Sequence, residues 1–253
     1  MIFDLQKASM WKRISAWLFD FIILGIVVVG ISFTMSSLLG YDSYSATVDA
    51  AYDRYESQYG ITFDVSEEDY NRLTPEGKQT WQDAYAALTA DQEAMHAYSM
   101  MISLSLTITS LSILLGFLIL ELAVPLLLHN GQTLGKKIFG IGVIRTDGVR
   151  LSPVQLFIRT VLGKYTVETM VPVLTVMLIF FGTLGRIGTL LILGLAALQL
   201  ILMIATRTNS PIHDLLAGTV AVDLQSQMIF ESREAMIEFK KQASAEAAAR
   251  SPY

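Results

Sequence analysis

Cysteine is absent from the 253-residue chain. Disulfides and thiolate metal sites are therefore excluded, and any exported segment has to fold without covalent staples. Histidine is nearly as scarce: His96, His129 and His213 are the three in the sequence, and no spacing among them suggests a metal site. No metal and no cofactor are expected. Charge is the third shortage, with 16% of residues charged where a soluble domain carries about 25%. A basic surplus is missing too. The net charge of −5 gives no reason to expect nucleic acid as a partner. No nucleophile–base pair or carboxylate dyad emerges, so the chain is not read as an enzyme.

What fills the space is hydrocarbon. Hydrophobic residues make up 53% of the chain, and the mean hydropathy is +0.49. Four blocks are free of charge: Phe21–Leu39 (19 residues), Tyr98–Leu120 (23), Thr169–Gly185 (17) and Ile187–Thr206 (20). A bilayer core about 30 Å thick needs about 20 apolar residues in a helix. Three blocks reach that length, and the third does so once Tyr165–Glu168 extends it. The expected fold is an all-α polytopic membrane protein with four transmembrane helices. The first block is long enough to stay in the membrane, and no cleavable signal peptide is expected.

Basic residues orient the spans. Lys7, Lys12 and Arg13 precede span one, six lysines and arginines lie between spans two and three, and Arg207 follows span four. The opposite side has Arg54, Arg72, Lys78 and Arg186. Both termini are thus expected in the cytoplasm, with the protein multi-pass in the plasma membrane. The loop 40–97 carries twelve acidic and three basic residues, a net −9 that leaves +4 for the rest of the chain.

The chain divides into an N-terminal interfacial segment with span one (1–39), an acidic extracytoplasmic helical insertion (40–97), span two (98–128), a cytoplasmic loop with hairpin and interfacial helix (129–164), spans three and four (165–206), and a cytoplasmic short helix, strand and amphipathic tail (207–253). In the insertion, Tyr44–Tyr59 has helical spacing, Ser66 starts a capping pattern, and Thr74-Pro75-Glu76 is a stronger start. That last helix is expected to run on toward span two. The β-branched residues flanking Asp147-Gly148 predict a small cytoplasmic β-hairpin. Ser152-Pro153 caps an amphipathic helix along the inner interface. Pro211 opens a short helix that Gly218 ends, before a strand at Thr219–Val222. Gly182, Gly185, Gly188 and Gly194 read as points of close helix contact.

Three stretches then stand out together. They are Arg13-Ile14-Ser15-Ala16-Trp17-Leu18-Phe19-Asp20, Gly131-Gln132-Thr133-Leu134-Gly135-Lys136 with Gly140-Ile141-Gly142-Val143, Asp147-Gly148 and Arg159, and His213-Asp214-Leu215-Leu216-Ala217-Gly218. In this order they resemble the RDD family of bacterial and archaeal membrane proteins, with Arg13, Asp20 and Asp214 at the naming arginine and aspartates. The resemblance leaves out the insertion and the tail. It implies transport, with exchange of monovalent cations for protons among the activities proposed for the family.

Elementary electrostatics gives the same residues weight. A carboxylate within a span faces a bundle interior or a cavity and takes a partner. Arg13 and Asp20 share a helical face but lie about 10 Å apart along the axis, so Asp214 is expected to complete their pairing. That cluster is either a cation or proton site or a clamp for the N-terminal segment. Glu121, after 23 uncharged residues, is either a buried proton site or the partner of Arg159 or Lys164. Glu168 and His213 are further proton or cation candidates. Thr133, Gly135, Lys136 and Arg159 belong to the motif loop and its continuation. Gly131–Lys137 fails as a phosphate loop because three residues separate its glycines and Lys137 stands where a hydroxyl would hold magnesium. Four helices barely enclose a water-lined path, so a homo-oligomer or a protein partner is expected besides the lipid bilayer. The alternative is an accessory or scaffold protein that binds partners through its external cap and cytoplasmic tail.

Overall fold

The computed structural model describes residues 5–128 and 131–250, with side chains to 246; His129 lies outside the described residues. The chain forms two compact units, Met1–Val29 with Ile113–Tyr253, and Gly30–Ser112. Four helical stretches are long and apolar enough to cross a membrane: Met10–Leu39, Gln92–Leu128, Pro153–Phe180 and Gly185–Ala205. Their side chains are largely exposed leucine, isoleucine, valine and phenylalanine, the composition expected of surfaces that face lipid tails.

Helix α1 (Met10–Leu39) is one uninterrupted rod, so Trp11 and Trp17 belong to it rather than to a separate lead-in. Gly40 in the left-handed conformation ends it and opens α2 (Tyr41–Tyr59). Then follow α3 (Glu67–Arg72), whose Ser66 cap accepts from the Asp69 N–H, and α4 (Pro75–Ala90), capped by Thr74 with Pro75 in the first turn. These three helices are the insertion's cap. Ala51, Leu88 and Ala94 form its core, with Tyr55 and Phe63 packed on it. The cap does not run smoothly into the second apolar stretch. Asp91 interrupts the winding, and its Oδ1 accepts from the Glu93 and Ala94 N–H groups at 3.0 and 3.1 Å, so that α5 (Gln92–Phe117) is a new helix.

Both middle stretches change winding. After α5 comes a π-helical segment, π1 (Leu118–Ala123), then α6 (Val124–Leu128). The third stretch is α8 (Pro153–Phe157), π2 (Ile158–Met170) and α9 (Val171–Phe180) end to end. The expected interfacial helix and third span are therefore one continuous helical run. Ser152 and Gln155 close a capping box at its start, which supplies partners for N–H groups that the first turn leaves free. A tight turn leads from α9 to α10 (Gly185–Ala205). A Cβ at Gly188 would lie 2.7 Å from Ile179, a close helix approach, whereas Gly194 faces open space.

The expected hairpin is corrected. Between α6 and α8 lie α7 (Leu134–Ile138) and strand β1 (Ile141–Arg145). β1 pairs antiparallel not with its neighbour but with β2 (Thr219–Asp223), Val143 opposite Ala221. The turn at Asp147-Gly148 does form, with the Arg145 N–H on the Val149 carbonyl at 2.9 Å, yet it closes only an isolated bridge from Ile144 to Arg150. The Ser152 cap follows Arg150 too soon for a second strand to grow. On its other edge β2 receives the N-terminal segment: the Ala8 N–H donates to the Ala221 carbonyl and the Asp223 N–H to the Gln6 carbonyl. Ala8, Ala16, Ile141 and Ala221 make one small core, and Ile144, Val220 and Val222 another. The short helix α11 (Ile212–Ala217) lies between α10 and β2 and packs on π2, and the tail ends in α12 (Arg233–Arg250).

Candidate functional site: a buried ionisable network

The strand and the break after α10 determine where Arg13 goes. Its guanidinium donates to the carbonyls of Asn209 (2.9 Å) and Ala221 (2.7 Å). Asn209 sits at the end of the post-α10 turn with a φ of 51°, a conformation asparagine tolerates. Lys12 meets Asp223 at 2.6 Å. The start of α1 is thus fastened to β2 and the turn before α11.

Asp20 lies about two turns further along α1 and does not meet Arg13. Its carboxylate accepts from the Thr133 hydroxyl and from the Gly135 N–H, the latter at 2.7 Å, so it covers the N-terminus of α7, where the helix dipole favours an anion. Only glycine fits at 135: a Cβ there would stand 2.3 Å from the Ala16 carbonyl oxygen. Lys136, one residue on, is buried and donates from Nζ to Thr133 Oγ1 at 3.2 Å. Burial first, and then the charge of Lys164, push the Lys136 ammonium down to about 7 against the pull of Glu121 and Asp20.

Asp214 also differs from expectation. The Asp214 charge does act on Arg13, but its direct contacts are elsewhere: Arg159 of π2 pairs with it, Nε to Oδ1 at 2.8 Å, and Thr219 donates to the same oxygen at 2.6 Å. Burial alone would raise the Asp214 pKa, but the Arg159 charge and the hydrogen bonds hold the carboxyl below the usual carboxylate range. The same guanidinium reaches His213 Nε2 at 3.0 Å. Arginine only donates, so Nε2 accepts and the imidazole proton sits on Nδ1. That proton points at Glu168, 2.7 Å away, and the Glu168 carboxylate also accepts from the His213 backbone N–H at 2.9 Å. Burial and the neighbouring Arg159 keep His213 neutral, lowering its pKa, while Asp214 and Glu168 act in the opposite sense. Gly163 permits this proximity, since a Cβ there would lie 2.5 Å from that of His213.

Glu121 of π1 completes the network. It pairs with Lys164 of π2 at 2.5 Å, and its backbone carbonyl accepts from the Thr160 hydroxyl at 2.9 Å. Of the two partners named for it, Lys164 is the one in contact. The winding of π2 brings these groups together. In an α-helix Arg159 and Lys164 would point about 140° apart, and Arg159 and Glu168 on opposite faces. The i→i+5 bonding of a π-helix stacks residues about four to five apart instead, and all three turn toward π1 and α11. Thr219, Thr160 and Lys164 are members that sequence reasoning left out or left secondary. The visible signal was the spacing of three charges in an otherwise apolar helix, which suits no α-helical face.

Within the network four carboxylates (Asp20, Glu121, Glu168, Asp214) stand beside three cations (Lys136, Arg159, Lys164) and one neutral imidazole, with Arg13 nearby on the strand side. Among the described residues no group of three or more histidine and acidic side chains could hold a metal ion. No curated protein and no solved structure matches the chain. The profile of the RDD family matches residues 7–218, a stretch that contains every member of the network except Thr219. With four apolar helices long enough to span a membrane and this match over most of its length, the chain belongs to the RDD family.

Proposed function

We infer that this protein moves ions across its membrane, exchanging a monovalent cation for a proton, with the ionisable network as the coupling site. The observation that carries the reading is the π-helical stretch π2, which turns Arg159, Lys164 and Glu168 onto one side and sets them against Glu121, His213 and Asp214. Ionisable groups inside membrane helices are costly and concentrate along ion and proton pathways, and π segments are frequent at functional sites. Glu121 or Glu168 would take up the proton or the cation. Lys164 would hold Glu121, and His213 would hold Glu168, in place until the ion arrives. Lys136, with its pKa close to neutrality, is suited to change charge during a cycle. The protein is read as lying in the bacterial plasma membrane with both termini cytoplasmic, which would put the network on the inner side, and as working in an oligomer or with a protein partner.

A second reading has its own support. Each buried carboxylate of the network already has a basic or hydrogen-bonding partner, as a structural latch requires. The chain would then be an accessory or scaffold protein. Purified protein in sealed vesicles decides between them. Sodium, potassium or lithium gradients that drive proton movement through the wild type support exchange. Absence of movement with all three, in folded protein, favours the scaffold.

A further inference from the structure

The cap contains a cleft that the transport reading does not use. It is an open groove of about 290 Å³ between α2 and α4, lined by Tyr52, Glu56, Phe63, Asp64, Trp81 and Tyr85. Four of the six are aromatic; two of their ring pairs meet edge-to-face and the third is stacked. Tyr52 stands edge-to-face to Phe63 (5.3 Å between centroids, 85°), Phe63 edge-to-face to Trp81 (5.9 Å, 73°), and Trp81 lies parallel to Tyr85 (5.5 Å, 8°). Phe63 is anchored on the cap's core, whereas Tyr52 and Tyr85 keep 37% and 50% of their surface exposed.

Glu56 is held in place without a cation. Glu56 accepts through one oxygen, Oε1, from the Phe63 N–H at 2.6 Å and the Thr62 hydroxyl at 3.1 Å, and Oε2 has no hydrogen bond among the described residues. Asp64 has no ion pair among the described residues. The cap's three basic side chains are engaged elsewhere: Arg54 with Asp91 and over the Tyr55 ring, Arg72 with Glu68, and Lys78 on the Asn71 carbonyl. The cleft therefore combines π-faces with uncompensated negative charge, in an insertion of net charge −9.

We propose that this cleft binds a small methylated ammonium ion. Ring faces attract a cation through their quadrupoles and replace weakly held water around methyl groups, which is how quaternary ammonium groups are recognised. A hydrated metal ion has no such use for aromatic walls, and two carboxylates offer it too few oxygens. The volume falls just under the usual range for ligand pockets, which suits a group no larger than tetramethylammonium or choline. The chemistry is shared by free solutes and by the headgroup of phosphatidylcholine. The site is independent of the ion-exchange reading, and its failure would leave that reading untouched.

The test is calorimetric titration of the full chain in maltoside detergent with tetramethylammonium and choline. Both bind saturably, while 3,3-dimethyl-1-butanol, the uncharged shape-mimic of choline, binds at least about tenfold more weakly. Asp64→Asn with Glu56→Gln, which keeps the carbonyl that Phe63 needs, and separately the exposed Tyr85→Leu, each weaken binding about tenfold with the thermal transition of the protein unchanged. Repeating the titration in phosphatidylglycerol and in phosphatidylcholine nanodiscs identifies the source. Choline binding lost only in the latter means that the lipid headgroup occupies the cleft, and binding kept in both means a free solute. No saturable binding in detergent, equal affinity for the uncharged mimic, or affinity unchanged in the folded variants overturns the proposal.

Discussion

Arg159 on π2 and Asp214 on α11 are joined at 2.8 Å with each side chain 3% exposed. They bind a helix of the third apolar stretch to the short helix that follows the fourth. Removing one member strands a buried charge, which costs about 3–5 kcal/mol, whereas replacing both with apolar groups of similar volume is often neutral or stabilising. Asp214→Ala is therefore expected to lower the unfolding midpoint sharply, and Arg159→Met with Asp214→Leu to recover most of the loss. Thermal unfolding in detergent of Asp214→Ala and of the double variant checks this.

Stability should rise with pH across a window that Lys136 defines. Its folded pKa is lowered to about 7 from the ordinary lysine value of 10.5, so between those values the unfolded chain binds more protons and stability increases with pH. Burial sets this value first, followed by the charges of Lys164, Glu121, Arg159 and Asp20 on the neighbouring elements. Lys136→Met should flatten the slope. His213, lowered from 6.5, adds a loss of stability as the pH falls below that value, because its proton must enter a site already facing Arg159. Melting temperatures recorded from acid to alkaline buffer for the wild type, Lys136→Met and His213→Gln separate the two contributions.

Gly135→Ala and Gly163→Ala place a methyl against the Ala16 carbonyl and against His213, at 2.3 and 2.5 Å. Overpacking of this kind costs about 1–3 kcal/mol. Gly194→Ala, in α10 with no atom within 4 Å, should instead be neutral or stabilise by up to about 1 kcal/mol through helix propensity. Folded yield and unfolding midpoint of the three variants provide the comparison.

The sequence made the four apolar stretches legible because membrane helices declare themselves by length and lack of charge. The cap helices were legible too, because Ser66, Thr74 and Pro75 carry local start signals. The strand partner was not. β1 pairs across more than seventy positions with β2, and nothing local to Asp147-Gly148 says that its own return run is too short. The charges themselves were all visible, but their pairing was not. Arg13 and Asp20 share a helical face and invite pairing, yet Asn209, Ala221, Thr133 and Gly135 lie nearer. The π winding that gathers Arg159, Lys164 and Glu168 has no residue-level signature apart from a spacing that α geometry does not explain.

The absence of cysteine makes orientation directly measurable. Ser57→Cys in the cap and Ser226→Cys after β2 are both on exposed positions. In intact cells a membrane-impermeant maleimide should label the first and not the second. The second should become reactive only after the membrane is permeabilised. Labelling in the reverse order would invert the topology and move the network to the outer side.

The most direct measurement of the central claim is cation-driven proton flux in sealed proteoliposomes, comparing the wild type with Glu121→Gln/Lys164→Met. The double change removes the 2.5 Å ion pair without leaving either charge unpaired in the protein interior. The account predicts flux in the wild type and background flux in the variant, with both folded and inserted to the same extent. Equal flux in the two proteins, or none in the wild type under sodium, potassium and lithium gradients, would contradict it.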